Sequence, residues 1–216
     1  MNQRPRASFL LALLGLVGLA GGCGLSYSGG ARPVTPTELD GEWLRAAPTP
    51  IVRQRAHSDC GLAALAMVAG AWGHTWTLVD LSRHVKITEQ GVKLGALRDL
   101  ARARGLEAYA ISGKHADLQR ELAKGRPVLL GLLLPFGQRR GLSHYEVVVA
   151  LDPRDGSVVT LDPSTGKHMR RTRKVLEAEW KYGGFPTLVV VGDRSADPAA
   201  DRAAARGDAP EERAGM

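Results

Sequence analysis

The stretch Ser58-Asp59-Cys60-Gly61-Leu62-Ala63-Ala64-Leu65-Ala66-Met67-Val68-Ala69-Gly70 decides the fold. Leu62, Leu65, Ala66, Val68 and Ala69 recur at helical spacing, which predicts a buried helix from Cys60 to Trp72. Gly70 and Gly73 end it, and Ser58 or Asp59 is the expected N-cap. Working outward, the same period predicts helices over 77–85, over 94–104 with Gly105 closing it, and over 115–124 with Leu118 and Leu122 on one face. The period then changes from helical to extended. Residues 127–134, 145–151, 157–161 and 187–191 are aliphatic or β-branched runs bounded by Gly, Pro and Asp, and read as strands. Helices first and strands last is the pattern of an α+β domain with segregated layers.

A chain of 216 residues holds one core of ordinary size plus flanking segments. Hydrophobic residues at 44% and charged residues at 24% exclude global disorder and a multi-span membrane protein. Aromatic residues are only 5%, against 26 glycines and 12 prolines, so the core is expected to be aliphatic and the loops numerous. Residues 23–50, rich in Gly, Ser, Pro and Thr, read as a flexible tether, 51–192 as the folded domain, and 193–216 as a charged, Ala-rich, disordered tail. The net charge of +7 lies in the middle of the chain, where it is scattered and not interleaved with an aromatic stripe. That argues against nucleic acid as a partner.

Arg4 and Arg6 precede an apolar run from Ala7 to Ala20, too short for a comfortable membrane span, so 1–22 reads as a secretory signal. Leu19-Ala20-Gly21-Gly22-Cys23 resembles a bacterial lipoprotein signal, which implies lipidation of Cys23 and attachment to the membrane through that lipid. Gly24 follows where Asp would act as a retention signal in many such lipoproteins, so the resemblance implies an outer-membrane lipoprotein facing the periplasm. The chain has two cysteines, which excludes a disulfide framework and any four-cysteine zinc or iron–sulfur site. With Cys23 acylated, Cys60 is the single remaining thiol, and an unpaired thiol in an exported protein asks for a chemical reason.

Cys60 stands at a helix start, where unpaired N–H groups and the helix dipole favour a thiolate, and Gly61 after it lets a substrate backbone approach. Asp59 reads as a plain cap, because a carboxylate aimed at Cys60 would oppose the thiolate. A thiolate needs an imidazole partner. His84 and His115 fall in predicted helices, His74 follows a helix end and His168 lies in a basic polar segment, so these read as surface residues. His144 differs, standing where the turn Gly141-Leu142-Ser143 enters the strand 145–151. His57 with Cys60 finds no further ligands at metal-binding spacing, so no metal and no cofactor is expected. Two Leu-Asp-Pro triplets offer Asp152 and Asp162 to orient the imidazole. A hairpin about Arg154-Asp155-Gly156 returns its second strand toward His144, which selects Asp162 and leaves Asp152 as a turn residue.

The ordered set Gln54, Asp59-Cys60-Gly61, Gly91-Val92 and Leu94, His144-Tyr145 with Val147-Val148-Val149, then Asp162-Pro163 resembles the bacteriocin-processing, double-glycine leader peptidase family of papain-like cysteine peptidases. The resemblance covers 51–191. It implies a papain-like α+β fold with N-terminal helices packed on a C-terminal antiparallel sheet. It further implies Cys60 as nucleophile, His144 as general base, Asp162 as orienting group and Gln54 as oxyanion-hole donor; without it, Gln54 is an ordinary polar residue before a helix. Two departures stand out. Glu146 occupies a position that is usually apolar, and the sequence carries neither the membrane spans nor the nucleotide-binding domain of the family's transporters. The expectation is a stand-alone, lipid-anchored envelope cysteine peptidase acting on a peptide or protein, after small residues such as Gly-Gly, with a secretion system as partner. The alternatives are an acyltransferase or amidase using the same three residues, and a non-catalytic peptide-binding subunit of a secretion or envelope complex.

Overall fold

A computed structural model describes residues 29–136 and 139–193. The expected signal 1–22, the expected lipidation site Cys23 and all but the first residue of the expected tail 193–216 lie outside the described residues. In chain order the elements are β1 (Arg32–Pro33), β2 (Leu44–Arg45), α1 (Cys60–Gly70), α2 (Leu78–Ser82), α3 (Leu94–Ala103), β3 (Glu107–Ser112), α4 (His115–Ala123), β4 (Val128–Phe136), β5 (Arg139–Leu151), β6 (Val158–Asp162), β7 (Lys167–Arg171), α5 (Arg173–Trp180) and β8 (Pro186–Val191). The strands form one antiparallel sheet in the order β1-β7-β6-β5-β4-β8-β3, and β2 pairs separately with β5. Among the described residues no helix is long and apolar enough to cross a membrane.

The α+β architecture is the one expected, with one refinement: helices cover both faces of the sheet. α1, α2 and α3 pack with Leu129, Val147, Leu161, Leu188 and Val190 in one core. α4 and α5 bring Leu118, Leu122, Leu176 and Trp180 against Val128, Leu130, Val148 and Val158 in the other. Neighbouring residues of β4 and β5 therefore alternate between two cores, which is why these strands read as unbroken apolar runs rather than as alternating ones. α1 is buried along its whole length from Cys60 to Ala69, as its small and aliphatic composition predicts. Its cap differs from expectation. Asp59 makes no side-chain capping hydrogen bond, because a turn of 3-10 helix over His57–Asp59 precedes α1 and the Asp59 carboxylate turns to the Arg55 Nε, 3.1 Å away.

From residue 29 on, the segment read as a tether lies against the sheet. β1 pairs with β7, β2 pairs with β5, and Val34 and Trp43 are buried with Ala150 and Val159 in a third small cluster. The Arg170 guanidinium lies over the Trp43 ring, 5.1 Å from its centre. Val34, Leu39 and the pair Trp43-Leu44, spread among Gly, Pro, Thr and charged residues, make no period, so composition alone reads this strap as a linker. β3, β7 and α5 are likewise additions to the expected elements.

Candidate active site

The site gathers where the start of α1 meets β5 and β6. The β5–β6 hairpin sets the register: Val147 faces Leu161, which brings Asp162 level with Glu146 and one turn of pleat from His144. The connection runs through Gly156 at φ 73°, whose N–H donates to the Asp152 carbonyl at 2.8 Å. Asp152 itself is committed to this turn, accepting hydrogen bonds from the Arg154 N–H at 3.0 Å and from its guanidinium at 2.7 and 2.8 Å. Asp162, by contrast, points at His144, with Nε2 and Oδ1 2.8 Å apart and both side chains buried.

Asp162 is pinned by its own loop. The Ser164 N–H donates to Oδ1 at 2.8 Å, and the hydroxyls of Ser164 and Thr165 donate to the carboxylate at 2.8 Å each. Burial alone would raise the Asp162 pKa, but the hydrogen bond and charge of His144 and the donors of Ser164 hold it well below the usual carboxylate range. The Cys60 sulfur also acts on the imidazole, favouring its protonated form. Burial by itself would lower the His144 pKa; the hydrogen bond to Asp162, the Cys60 sulfur and the charge of Glu146 outweigh it and push the value up from 6.5 to about 10. The signs are opposite for the two partners. The raised His144 stabilises the fold fully below 6.5, a contribution lost as pH rises through about 10. The lowered Asp162 stabilises it above 3.8, a contribution lost in strong acid.

Cys60 is a free, buried thiol at the first turn of α1. Gly61 does not open a path for substrate as expected; it is buried, and a Cβ there would meet the Tyr145 ring at 3.0 Å and Leu97 Cδ1 at 3.1 Å. Its role is to let the first turn of α1 press against Tyr145, whose pKa burial and the Cys60 charge push up to about 12. Gly91, at φ 87°, brings the loop before α3 against the Ser58 carbonyl, 3.3 Å from where its Cβ would lie, so the residues ahead of Cys60 are buttressed from that side. Gln54 is tied to the Asp162 loop through its backbone N–H, which donates to the Pro163 carbonyl at 3.0 Å, while its side-chain Oε1 is buried without a hydrogen-bond partner. Arg53 Nη2 donates to the Ser164 carbonyl at 2.9 Å, fixing the same junction. The structure thus gathers Cys60, His144 and Asp162, with His144 hydrogen-bonded to Asp162 and Gln54 anchored at the Asp162 end. His57 and His84 are exposed, while His115 is half-buried against the Gly156 carbonyl and His168 is half-buried on β7.

Potential ligand atoms of His144, Glu146 and Asp162 lie within 4.8 Å of one another, the spacing of a metal site. Their lone pairs are already committed: Asp162 accepts from His144, Ser164 and Thr165, and Glu146 accepts from Thr160 and Arg171. An adjacent guanidinium also opposes a cation there, so the cluster is an electrostatic one. Sequence reasoning passed over Ser164 and Thr165. A polar Ser-Thr-Gly turn after Asp-Pro is the signal that could have found them.

Residues 48–185 match the model of the peptidase C39 family. Among curated proteins the chain is similar to the colicin V secretion/processing ATP-binding protein CvaB of Escherichia coli, 32% identical over 59% of this chain and 16% of that one. It is also similar to the pediocin PA-1 transport/processing ATP-binding protein PedD of Pediococcus acidilactici, 29% identical over 57% of this chain and 16% of that one. The chain therefore aligns with only about 16% of the length of these relatives. Among solved structures it is similar to a C39-like peptidase from Bacillus anthracis, with a TM-score of 0.61 at 19% identity over 70% of this chain and 98% of that one. The peptidase domain of Streptococcus ComA, a bi-functional ABC transporter involved in quorum sensing, superposes with a TM-score of 0.56 at 23% identity over 68% of this chain and 100% of that domain. A double glycine motif protease from an AMS/PCAT transporter, solved with its leader peptide, gives 0.53 at 19% identity over 73% of this chain and 96% of that one. At these identities the structural likenesses establish a shared fold.

Proposed function

The chain belongs to the peptidase C39 family, and from that membership we propose that it is a lipid-anchored cysteine peptidase of the bacterial envelope that hydrolyses peptide bonds after small residues such as Gly-Gly. The observation that carries the chemistry is the 2.8 Å hydrogen bond between the buried His144 Nε2 and Asp162 beside the buried Cys60, surroundings that favour a protonated imidazole. The Cys60 thiolate attacks the scissile carbonyl carbon, and the electron pair of that C=O bond moves onto oxygen. The Gln54 side-chain amide and the Cys60 backbone N–H donate to this oxyanion. Collapse of the intermediate breaks the C–N bond as the His144 imidazolium gives its proton to the departing amine, leaving a thioester on Cys60. Neutral His144 then takes a proton from water as that water attacks the thioester, which releases the carboxylic acid product and restores the ion pair. Asp162 fixes the ring throughout. The specificity for small residues rests on the similarity to the double glycine motif protease.

The test pairs cleavage with thiol reactivity. Peptides carrying Gly-Gly are expected to yield new termini by mass spectrometry, and iodoacetamide at about pH 6, where an ordinary thiol of pKa about 8.5 is protonated, is expected to label Cys60 and stop cleavage. His144→Ala should remove that low-pH reactivity. Asp162→Asn should slow cleavage strongly while Asp152→Asn, on the turn, does little. Labelling that rises only above about pH 8, indifferent to His144, or equal losses in the two Asp variants, would sink the assigned roles. Binding of such a peptide without cleavage, equal in wild type and Cys60→Ala, would identify a peptide-binding subunit instead.

The anchor has its own test. The match of Leu19-Ala20-Gly21-Gly22-Cys23 to a lipoprotein signal supports acylation of Cys23. Cells given labelled palmitate should incorporate it into the chain, and Cys23→Ser should abolish the incorporation. Recovery of the wild-type chain as a lipid-free periplasmic protein would exclude the anchor.

A further inference from the structure

A second buried acid lies behind His144, and the scheme above does not use it. Glu146 stands two residues after His144 on β5, so the two side chains leave the same face of the strand. It is fully buried, and its carboxylate lies within 4.8 Å of both the His144 ring nitrogen and the Asp162 carboxylate. Arg171 on β7 clamps it with two hydrogen bonds, Nη1 to Oε2 at 2.6 Å and Nη2 to Oε1 at 2.7 Å, and the Thr160 hydroxyl donates to Oε2. The same guanidinium reaches Glu179 of α5 through Nε at 2.7 Å, and the other Glu179 oxygen accepts the Gly30 N–H at 2.6 Å. A hydrophobic residue would fill this position between two cores at less cost, because buried ion pairs seldom repay their desolvation.

We propose that Glu146 is a positioning residue for the reaction: its carboxylate, held in place by Arg171 and Glu179, supplies the negative charge that keeps His144 protonated beside Cys60. The inference rests on the cysteine-peptidase reading. The charges facing His144 are Cys60 from α1, Glu146 on its own strand and Asp162 from β6, with Arg171 and Glu179 behind Glu146. Two carboxylates, Glu146 and Glu179, share one guanidinium here, and a protonated His144 beside Asp162 supplies a second positive charge. Asp162 is saturated by its own loop and fixes the ring; Glu146 makes no hydrogen bond to the ring and acts through space.

Glu146→Gln keeps the shape and removes the charge. In the full chain, carbon-13-labelled histidine follows the His144 ring by NMR while iodoacetamide follows Cys60, from about pH 5 to about pH 11. In wild type the imidazolium is expected to persist to about 10. In Glu146→Gln it should be lost at least about one pH unit lower, and the upper limb of the cleavage profile should move with it. A folded Glu146→Gln chain whose His144 titrates as in wild type overturns the proposal. Should that variant fail to fold, replacing Glu146, Arg171 and Glu179 together by Met leaves no buried charge unpaired and still removes the net negative charge of the group; a lower His144 titration again supports the role, and an unchanged one overturns it. The NMR readout needs no turnover. A downward shift in a chain that cleaves nothing would leave Glu146 in its role and remove only the peptidase reading.

Discussion

Cys60→Ala is expected to lower peptide turnover by on the order of 10⁶-fold, the loss seen when the nucleophile of a covalent mechanism is removed. No second nucleophile offers itself at the start of α1: Ser58 lies ahead of the helix with its carbonyl against Gly91, and burial holds Tyr145 in its neutral form. Without a sulfur there is no thioester, and His144 and Asp162 alone would have to activate water for direct attack. The comparison with Gln54→Ala gives the number its meaning. That variant leaves Cys60, His144 and Asp162 in place and removes the oxyanion donor we propose, so the expected loss is about 10²–10³ in kcat with substrate binding nearly unchanged. The two variants should therefore stand several decades apart in single-turnover measurements of one peptide. Turnover that survives Cys60→Ala would falsify the thiol mechanism. Equal losses would instead show that Gln54 holds the fold of the site rather than stabilising the intermediate.

The second large effect falls on stability. Arg171→Met leaves Glu146 and Glu179 buried and without their cation, at an expected cost of about 3–5 kcal/mol. Both carboxylates retain some donors, the Thr160 hydroxyl for one and the Gly30 N–H for the other, so they are not stripped of every partner. Denaturant unfolding of the variant against wild type measures the loss, and a change under about 1 kcal/mol would show that water or proton uptake replaces the guanidinium. Replacing Glu146, Arg171 and Glu179 together by Met should recover most of the loss, since no unpaired charge remains. The triple variant should nonetheless fall short of wild type in turnover at alkaline pH, because the charge near His144 is gone.

What could be read from the sequence follows from how the chemistry is distributed along it. α1 announces itself because a run of small and aliphatic residues after Cys60 has no polar face to confuse the period. His144 and Asp162 were legible because each flanks an apolar run, 145–151 or 157–161, and the short hairpin between them fixes their register. β7 was not legible, and the reason is physical. Its sequence Lys167-His168-Met169-Arg170-Arg171 contains one apolar residue, yet Met169 and Arg171 are both buried, the second by an ion pair that no hydropathy pattern records. α5 hides in the same way, since Glu179 is a core residue that reads as a surface one. Glu146 stands out in the sequence as an acid within an apolar run, but its partner lies 25 residues downstream, and no local rule joins the two. Gln54 carried no signal of its own beyond family resemblance, because its place depends on a backbone bond to Pro163 across the fold.

The strap also sets how far the enzyme can travel. A free linker over 23–50 would give a tethered domain a reach of roughly 90 Å at full extension. Docking from residue 29 on shortens that leash to the few residues between Cys23 and Gly29, roughly 20 Å at most. With the lipid at Cys23 that we propose, the domain would work hard against the bilayer, and the strap's buried Trp43 would act as the knot that keeps it there. Such a working radius would favour substrates presented at the membrane surface over those diffusing free in solution.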